Sequence, residues 1–180
     1  MEAGSSIFIA GKNIYLRALT EKDIDGNYAA WLNDPEITAY NSHGRFPVPP
    51  AKLKEYVNSV SGSRDALVLA VADSNTHEHI GNISLQNINW IDRNAEIAFL
   101  LGEKKYWGKG VMQEAGSLLI QHGFQVLNLH RIHCGTSSEN KGMQKLATKL
   151  GMAHEGTRKE AMFKNGAYLN IEEYGIINAK

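Results

Sequence analysis

The chain has 180 residues and a mass of 19.9 kDa, enough for one ordinary domain with a sizeable core. Nineteen basic residues balance nineteen acidic ones and the pI is near 7.1, which excludes a strong global field and charge-driven binding to nucleic acid. The single cysteine, Cys134, cannot form an internal disulfide. Met1–Ser6 lacks the pattern of a signal peptide, and no apolar run approaches the ~20 residues that cross a bilayer, so the expectation is a cytoplasmic domain with no membrane partner.

In chain order, Ile14–Leu19 alternates weakly and predicts a first strand. Thr20 is a candidate helix cap with Asp23 three residues on, and Ile24, Tyr28, Trp31 and Leu32 share one helical face that must stop before Pro35. Turn formers mixed with Tyr40 and Phe46 follow, then a second helix after Pro49-Pro50 through Leu53, Tyr56, Val57 and Val60. Ala66–Ala72, His79–Ile88 and Ala95–Leu101 read as three strands joined by short turns, hence antiparallel. Val111, Ala115, Leu118, Leu119, His122 and Val126 form the stripe of a longer helix. Arg131–Thr136 is a strand, and Asn140–Leu150 a short helix ended by Gly151. Two final strands flank Lys164-Asn165-Gly166-Ala167, where Asn-Gly marks a hairpin. The class is α/β in a single domain spanning 1–180. Its mixed sheet is mainly antiparallel, with one parallel βαβ unit between residues 95 and 136.

The stretch Lys105-Tyr106-Trp107-Gly108-Lys109-Gly110-Val111 lies between a strand and the long helix. Glycines two apart allow a tight turn that exposes successive N–H groups beside a helix N-terminus, which makes an anion site suited to a pyrophosphate. Lys105 and Lys109 add positive charge. A dinucleotide fingerprint is excluded because Gln113 stands where its third glycine belongs. A P-loop is excluded because Gly110, not Ser or Thr, follows Lys109.

Lys105-x-x-Gly108-x-Gly110 resembles the acetyl-CoA pyrophosphate loop of the GCN5-related N-acetyltransferase (GNAT) superfamily, with Lys105 in place of the usual Gln or Arg. Tyr106–Gly110 followed by Glu114-Ala115, Asn140 eleven residues before Gly151, Trp31–Glu36 and Glu155–Arg158 resemble the RimJ/RimL-like ribosomal-protein N-acetyltransferase branch. The resemblance covers about residues 12 to 178, and as a set these spaced motifs are specific. It implies a GNAT-like sheet with helices on both faces and acetyl-CoA as cosubstrate. It also implies backbone binding of the pantetheine arm along Ile97, Ala98, Phe99 and Leu100, with the phosphates on Trp107, Gly108, Lys109, Gly110 and Val111 and a further CoA contact from Asn140.

Acetyl transfer to an amine needs a base, an oxyanion donor and a proton for the leaving thiolate. Glu96 matches the family's strand glutamate and is the candidate base, with Glu155, Glu172 and Glu173 as rivals; a backbone N–H near Phe99 is the candidate oxyanion donor. The family's tyrosine and serine acids are replaced here by Ala147 and Met143, which leaves solvent, or Ser137, Ser138 or Tyr168, as the proton source. The acceptor pocket is expected between the 31–50 loop and the final hairpin, lined by Trp31, Tyr40, Asn41, Arg45 and Trp90. No acidic cluster is evident there, which disfavours polyamines. The acceptor expected is a peptide N-terminal α-amine, the alternative a small-molecule amine such as a nucleotide-linked amino sugar. A degenerate acetyl-CoA-binding module is the reading of another class. His77, His79, His130 and His133 lack a ligand pattern, so no metal is expected, and Cys134 reads as a small buried hydrophobe. A homodimer is compatible with the sequence, which does not set the oligomeric state.

Overall fold

Apolar, β-branched runs build the centre of the molecule. In a computed structural model, which describes residues 6–179, they form one eight-stranded sheet. Met1–Ser5, most of the opening weighed above as a leader, lie outside the described residues. The strands are β1 (Ile7–Ala10), β2 (Ile14–Ala18), β3 (Leu67–Asp73), β4 (His79–Asn89), β5 (Asn94–Leu101), β6 (Arg131–Ser137), β7 (Ala153–Lys164) and β8 (Ala167–Ile177), in the order β1-β2-β3-β4-β5-β6-β8-β7. Every pairing is antiparallel except β5 with β6, the pair joined through the long helix. That parallel ladder is short. It runs Asn94↔Arg131, Ala95↔Ile132 and Glu96↔His133, and then stops, although β5 continues beside β4 to Leu101 and β6 beside β8 to Ser137. The two strands therefore part, and each leaves an unpaired edge facing a gap.

Helices cover both faces. On one, α4 (Val111–Gln125) and α5 (Lys141–Lys149) bury Ala115, Leu119 and Ala147 against Leu16, Val71, Ile83, Ile97 and Ile132. On the other, α1 (Glu21–Ile24), α2 (Tyr28–Asn33) and α3 (Pro50–Val60) gather Ile24, Tyr28, Trp31, Leu53 and Val57, with Leu100 of β5 packed against them. No helix among the described residues is long and apolar enough to cross a membrane.

Two elements differ from the sequence reading. The helix expected from Thr20 to Asp34 is two pieces: Asp23 accepts the Thr20 N–H at 2.7 Å to start α1, and the chain turns at Asp25–Asn27 before α2. The continuous apolar face hid that break, because both pieces pack against the same cluster. β1 was not anticipated; it is a short edge strand with Ile7 and Phe8 half exposed, so it carries no alternation of buried and polar residues.

Candidate active site

The glycine loop has the backbone its sequence asks for. Gly108 (φ 74°) and Gly110 (φ 79°) are both left-handed, and a Cβ at either would meet nothing within 4 Å, so this side of the loop is open. Gly110 caps α4, whose first bond runs from the Glu114 N–H to the Gly110 carbonyl at 3.1 Å. The N–H groups of Val111, Met112 and Gln113 precede that bond and point from the helix start. Glu114 anchors the helix from the other side, accepting the Asn13 N–H and the Asn13 Nδ2 at 2.9 Å each. The loop thus offers donors and room for a diphosphate on a fixed frame.

The lysines behave differently from one another. Both lie over the Tyr106 ring, at 5.4 and 5.6 Å, but Lys105 is also held by Glu78 at 2.6 Å, whereas Lys109 has no carboxylate partner among the described residues. Trp107 Nε1 donates to the Leu101 carbonyl at 3.1 Å, fastening the loop to the end of β5. From Ile97 to Leu100 the edge of β5 facing β6 is unpaired, so alternate backbone groups of this stretch look into the gap. Asn140 sits on the far side of that gap as the cap of α5, its Oδ1 accepting the Met143 N–H at 3.0 Å.

Glu96 marks the foot of the gap. Strand alternation places it on the face opposite Ala95 and Ile97, together with Ala98 and Leu100, and Asn87 Nδ2 donates to it at 3.3 Å. Across β6 and β8 the same face carries His133, Gly135, Glu173 and Gly175, and Glu155 of β7 lies over Gly175. This face brings the candidate base Glu96 together with two of its rivals, Glu155 and Glu173. Two of them are already neutralised: Arg158 pairs with Glu173 at 2.5 Å, and Arg131 pairs with Glu155, whose carboxyl it holds below the usual range. Glu172, the third rival, points to the other face and is bonded by His154 and Thr157 at 2.7 Å each. Arg131, His133 and Arg158 were missed because their common face depends on β8 lying next to β6, which no local pattern reveals.

The expected acceptor residues separate into two groups. The loop after α2 does meet the final hairpin: Arg45 Nη2 donates to the Phe163 carbonyl at 2.9 Å, and Lys164 Nζ donates to the carbonyls of His43 at 2.7 Å and Asn41 at 3.2 Å. Tyr40 is exposed on that loop. Trp31 does not line an open pocket. It is 4% exposed, its ring lies against Gly102, and its Nε1 donates to Glu103 at 3.2 Å. Trp90 is also misplaced by the sequence reading, since it lies in the β4–β5 turn, at the end of β5 away from the glycine loop, with Nε1 on the Arg64 carbonyl at 3.1 Å.

Among the other candidates, Ser137 is fully buried and its Oγ accepts the Glu139 N–H at 3.2 Å, while Tyr168 is exposed on the hairpin tip. Cys134 is buried beside Met152, and burial, with Glu173 and Glu96 nearby, pushes its thiol up to about 12. A thiol so protonated is no nucleophile at neutral pH. His79, the first residue of β4, is enclosed, with Nε2 2.8 Å from Asn82 Oδ1 and Nδ1 3.3 Å from Asp23.

A sequence model of the family described as acetyltransferase (GNAT) domain matches residues 13–153. The chain belongs to this family. It is 34% identical over 177 residues to the protein named probable N-acetyltransferase YjcK of Bacillus subtilis (strain 168), covering 94% of this chain and 97% of that one. The spermidine N-acetyltransferase of Vibrio cholerae, solved with CoA and spermine, superposes with a TM-score of 0.84 at 26% identity, covering 92% of this chain and 95% of that one. RimL, a ribosomal L7/L12 alpha-N-protein acetyltransferase solved with coenzyme A, shares the fold with a TM-score of 0.86 at 19% identity, over 96% and 98% of the two chains. The chain is therefore an acyltransferase of the acetyl-CoA-using GNAT class.

Proposed function

We propose that this acetyltransferase moves the acetyl group of acetyl-CoA to the N-terminal α-amine of a peptide or protein. The observation that carries the acceptor is the charge state of the open face: the carboxylates of Glu155 and Glu173 are spent on Arg131 and Arg158, which leaves Glu96 to meet one amine rather than a polycation. The loop after α2 and the final hairpin, tied together by Arg45 and Lys164, border the end of the sheet at which β5 and β6 part.

In this reading the N–H groups of Gly108, Gly110 and Val111 hold the diphosphate, with the Lys109 and Lys105 side chains at the margin; the Trp107 and Lys109 N–H groups are not free for it, being donated to the Lys104 and Tyr106 carbonyls at 3.0 and 3.2 Å. The unpaired edge Ile97–Leu100 orients the pantetheine arm, Asn140 borders it from α5, and a backbone N–H near Phe99 steadies the oxyanion. Glu96 takes the amine proton, directly or through a water, as the N–C bond forms and the C–S bond breaks. The leaving thiolate takes its proton from solvent, since Met143 and Ala147 offer none. Tyr40 and Arg45 border the acceptor; Trp31 and Trp90 are given no part in it.

The likeness to a spermidine N-acetyltransferase keeps polyamines as the second reading. Acetyl-CoA-dependent thiol release, measured over N-terminal peptides, polyamines and nucleotide-linked amino sugars with a no-amine control, decides between them. Peptides rising above the control support the proposal. Spermidine alone rising overturns the acceptor, and no amine rising overturns the whole reading.

A further inference from the structure

The loop after α2 is a closed unit. Asn33 clamps its base, donating Nδ2 to the Val48 carbonyl at 3.0 Å and accepting the Val48 N–H at 2.9 Å. Thr38 fills the interior, 1% exposed. One side is held at the exit of β5, where Lys104 meets Asp34 at 2.9 Å and Glu36 at 2.5 Å. The other is held on the β7–β8 tip by Arg45 and Lys164. Because β6 lies between β5 and β8, the loop bridges the end of the sheet at which β5 and β6 have separated.

Two cations of this bridge differ from those around them. Lys104, Arg131 and Arg158 each have a carboxylate partner, whereas among the described residues Arg45 and Lys164 are tied only to main-chain carbonyls. A carbonyl dipole orients a cation without cancelling its charge. Partial burial and the neighbouring Arg45 hold Lys164 below the ordinary lysine range. Beside them, Phe46 and Tyr168 face solvent, 78% and 67% exposed, and Phe163 packs on Tyr168 at 5.0 Å between ring centres. Exposed rings next to unpaired charge suit a peptide side-chain surface more than bulk water.

From these contacts we infer that Arg45 and Lys164 form a subsite for a carboxylate side chain of the acceptor peptide, flanked by Phe46 and Tyr168; this rests on the peptide reading above. From Glu173, on the open face, to Ala167, opposite Lys164, β8 advances by six residues, or about 20 Å of strand. An extended peptide with its amine at the gap brings about its sixth residue to the two cations.

The test uses the full chain and peptides that share one N-terminal residue and length but carry Glu, Gln or Lys around the sixth position. The expected KM is about tenfold lower for the Glu peptide than for the Lys peptide, with Gln between and kcat unchanged, and the spread narrows at high salt. A second enzyme, Arg45→Glu with Lys164→Glu, reverses the order. A loosened loop raises all three KM values together and reverses nothing, so the reversal separates recognition from scaffolding. Equal KM values across the wild-type series overturn the subsite and leave the peptide reading standing. Turnover of a nucleotide-linked amino sugar with none of any peptide overturns both, and assigns the cations to a phosphate.

Discussion

Glu96 stands opposite His133 in the last rung of the parallel ladder, and beyond that rung β5 and β6 part. The carboxylate is thereby fixed where paired sheet gives way to the gap, on the face away from α4. Glu96→Gln keeps the shape and removes the proposed base. We expect kcat to fall by about a hundredfold at neutral pH, with the KM for acetyl-CoA little changed. The deficit shrinks as pH rises towards about 8, the ordinary range of an α-amine, because more of the acceptor is then neutral without help. Unchanged turnover removes Glu96 from the role of base.

The glycine loop allows a cleaner comparison. Gly108, Gly110 and Gly62 are all left-handed (φ 74°, 79° and 78°), and a Cβ at each meets no atom within 4 Å. Alanine at any of them costs the same kind of backbone strain, about 1–2 kcal/mol. Gly62 lies in the turn after α3, outside the glycine loop and the start of α4. Gly62→Ala should therefore lower Tm and leave acetyl-CoA binding intact. Gly110→Ala should lower Tm alike and also weaken binding at least tenfold, because the N–H groups that start α4 shift. Calorimetric titration of the three proteins with CoA checks this, and equal affinities would remove the loop from the site.

What could be read from the sequence follows how local each cause is. The loop was legible because two positive φ angles beside a helix start are a demand that glycine itself advertises. The antiparallel run β3–β4–β5 and the parallel crossover were legible from periodicity and connection length. The break in the first helix was not, because Ile24, Tyr28 and Trp31 hold their stripe through it. Nor was the open face, whose members Glu96, His133 and Glu173 come from three strands and meet only through the strand order. Trp31 shows the same limit in one residue, since an aromatic beside a loop reads alike whether it faces a pocket or Gly102.

Trp31 has a testable consequence of its own. Its indole covers Gly102, where a Cβ would lie 1.9 Å from the ring, and its Nε1 bonds Glu103, which Asn27 also bonds at 2.8 Å. Trp31→Phe loses that bond and part of the buried ring. The expected cost is about 2 kcal/mol of stability, seen as a lower denaturant midpoint, with acceptor KM unchanged once the protein is folded. A raised KM at unchanged stability would return Trp31 to the acceptor pocket.

The buried pair Arg17–Asp23 and its neighbour His79 set a pH response. Arg17 reaches both Asp23 oxygens, at 2.8 and 2.6 Å, and is itself held above its usual value by that bond. Burial raises the Asp23 carboxyl, but the bond from Arg17, the His79 charge and the Thr20 N–H outweigh it, and the net shift is downward. His79 is lowered, chiefly by burial, against the opposing pull of Asp23. Both ring nitrogens face oxygens, Nδ1 the Asp23 carboxylate at 3.3 Å and Nε2 the Asn82 Oδ1 at 2.8 Å, and burial opposes the charge they would favour. Both shifts are depressions, so both contribute stability at neutral pH. The His79 share is lost as pH falls below about 6.5 towards its lowered value, and the Asp23 share below about 3.9. Tm should therefore drop in two steps on acidification, and His79→Gln should flatten the first while keeping the second. Asp23→Ala, which strands Arg17, should cost about 3 kcal/mol at pH 7. Identical Tm profiles for the wild type and His79→Gln between pH 7 and pH 5 would show that the ring titrates as it does in the unfolded chain.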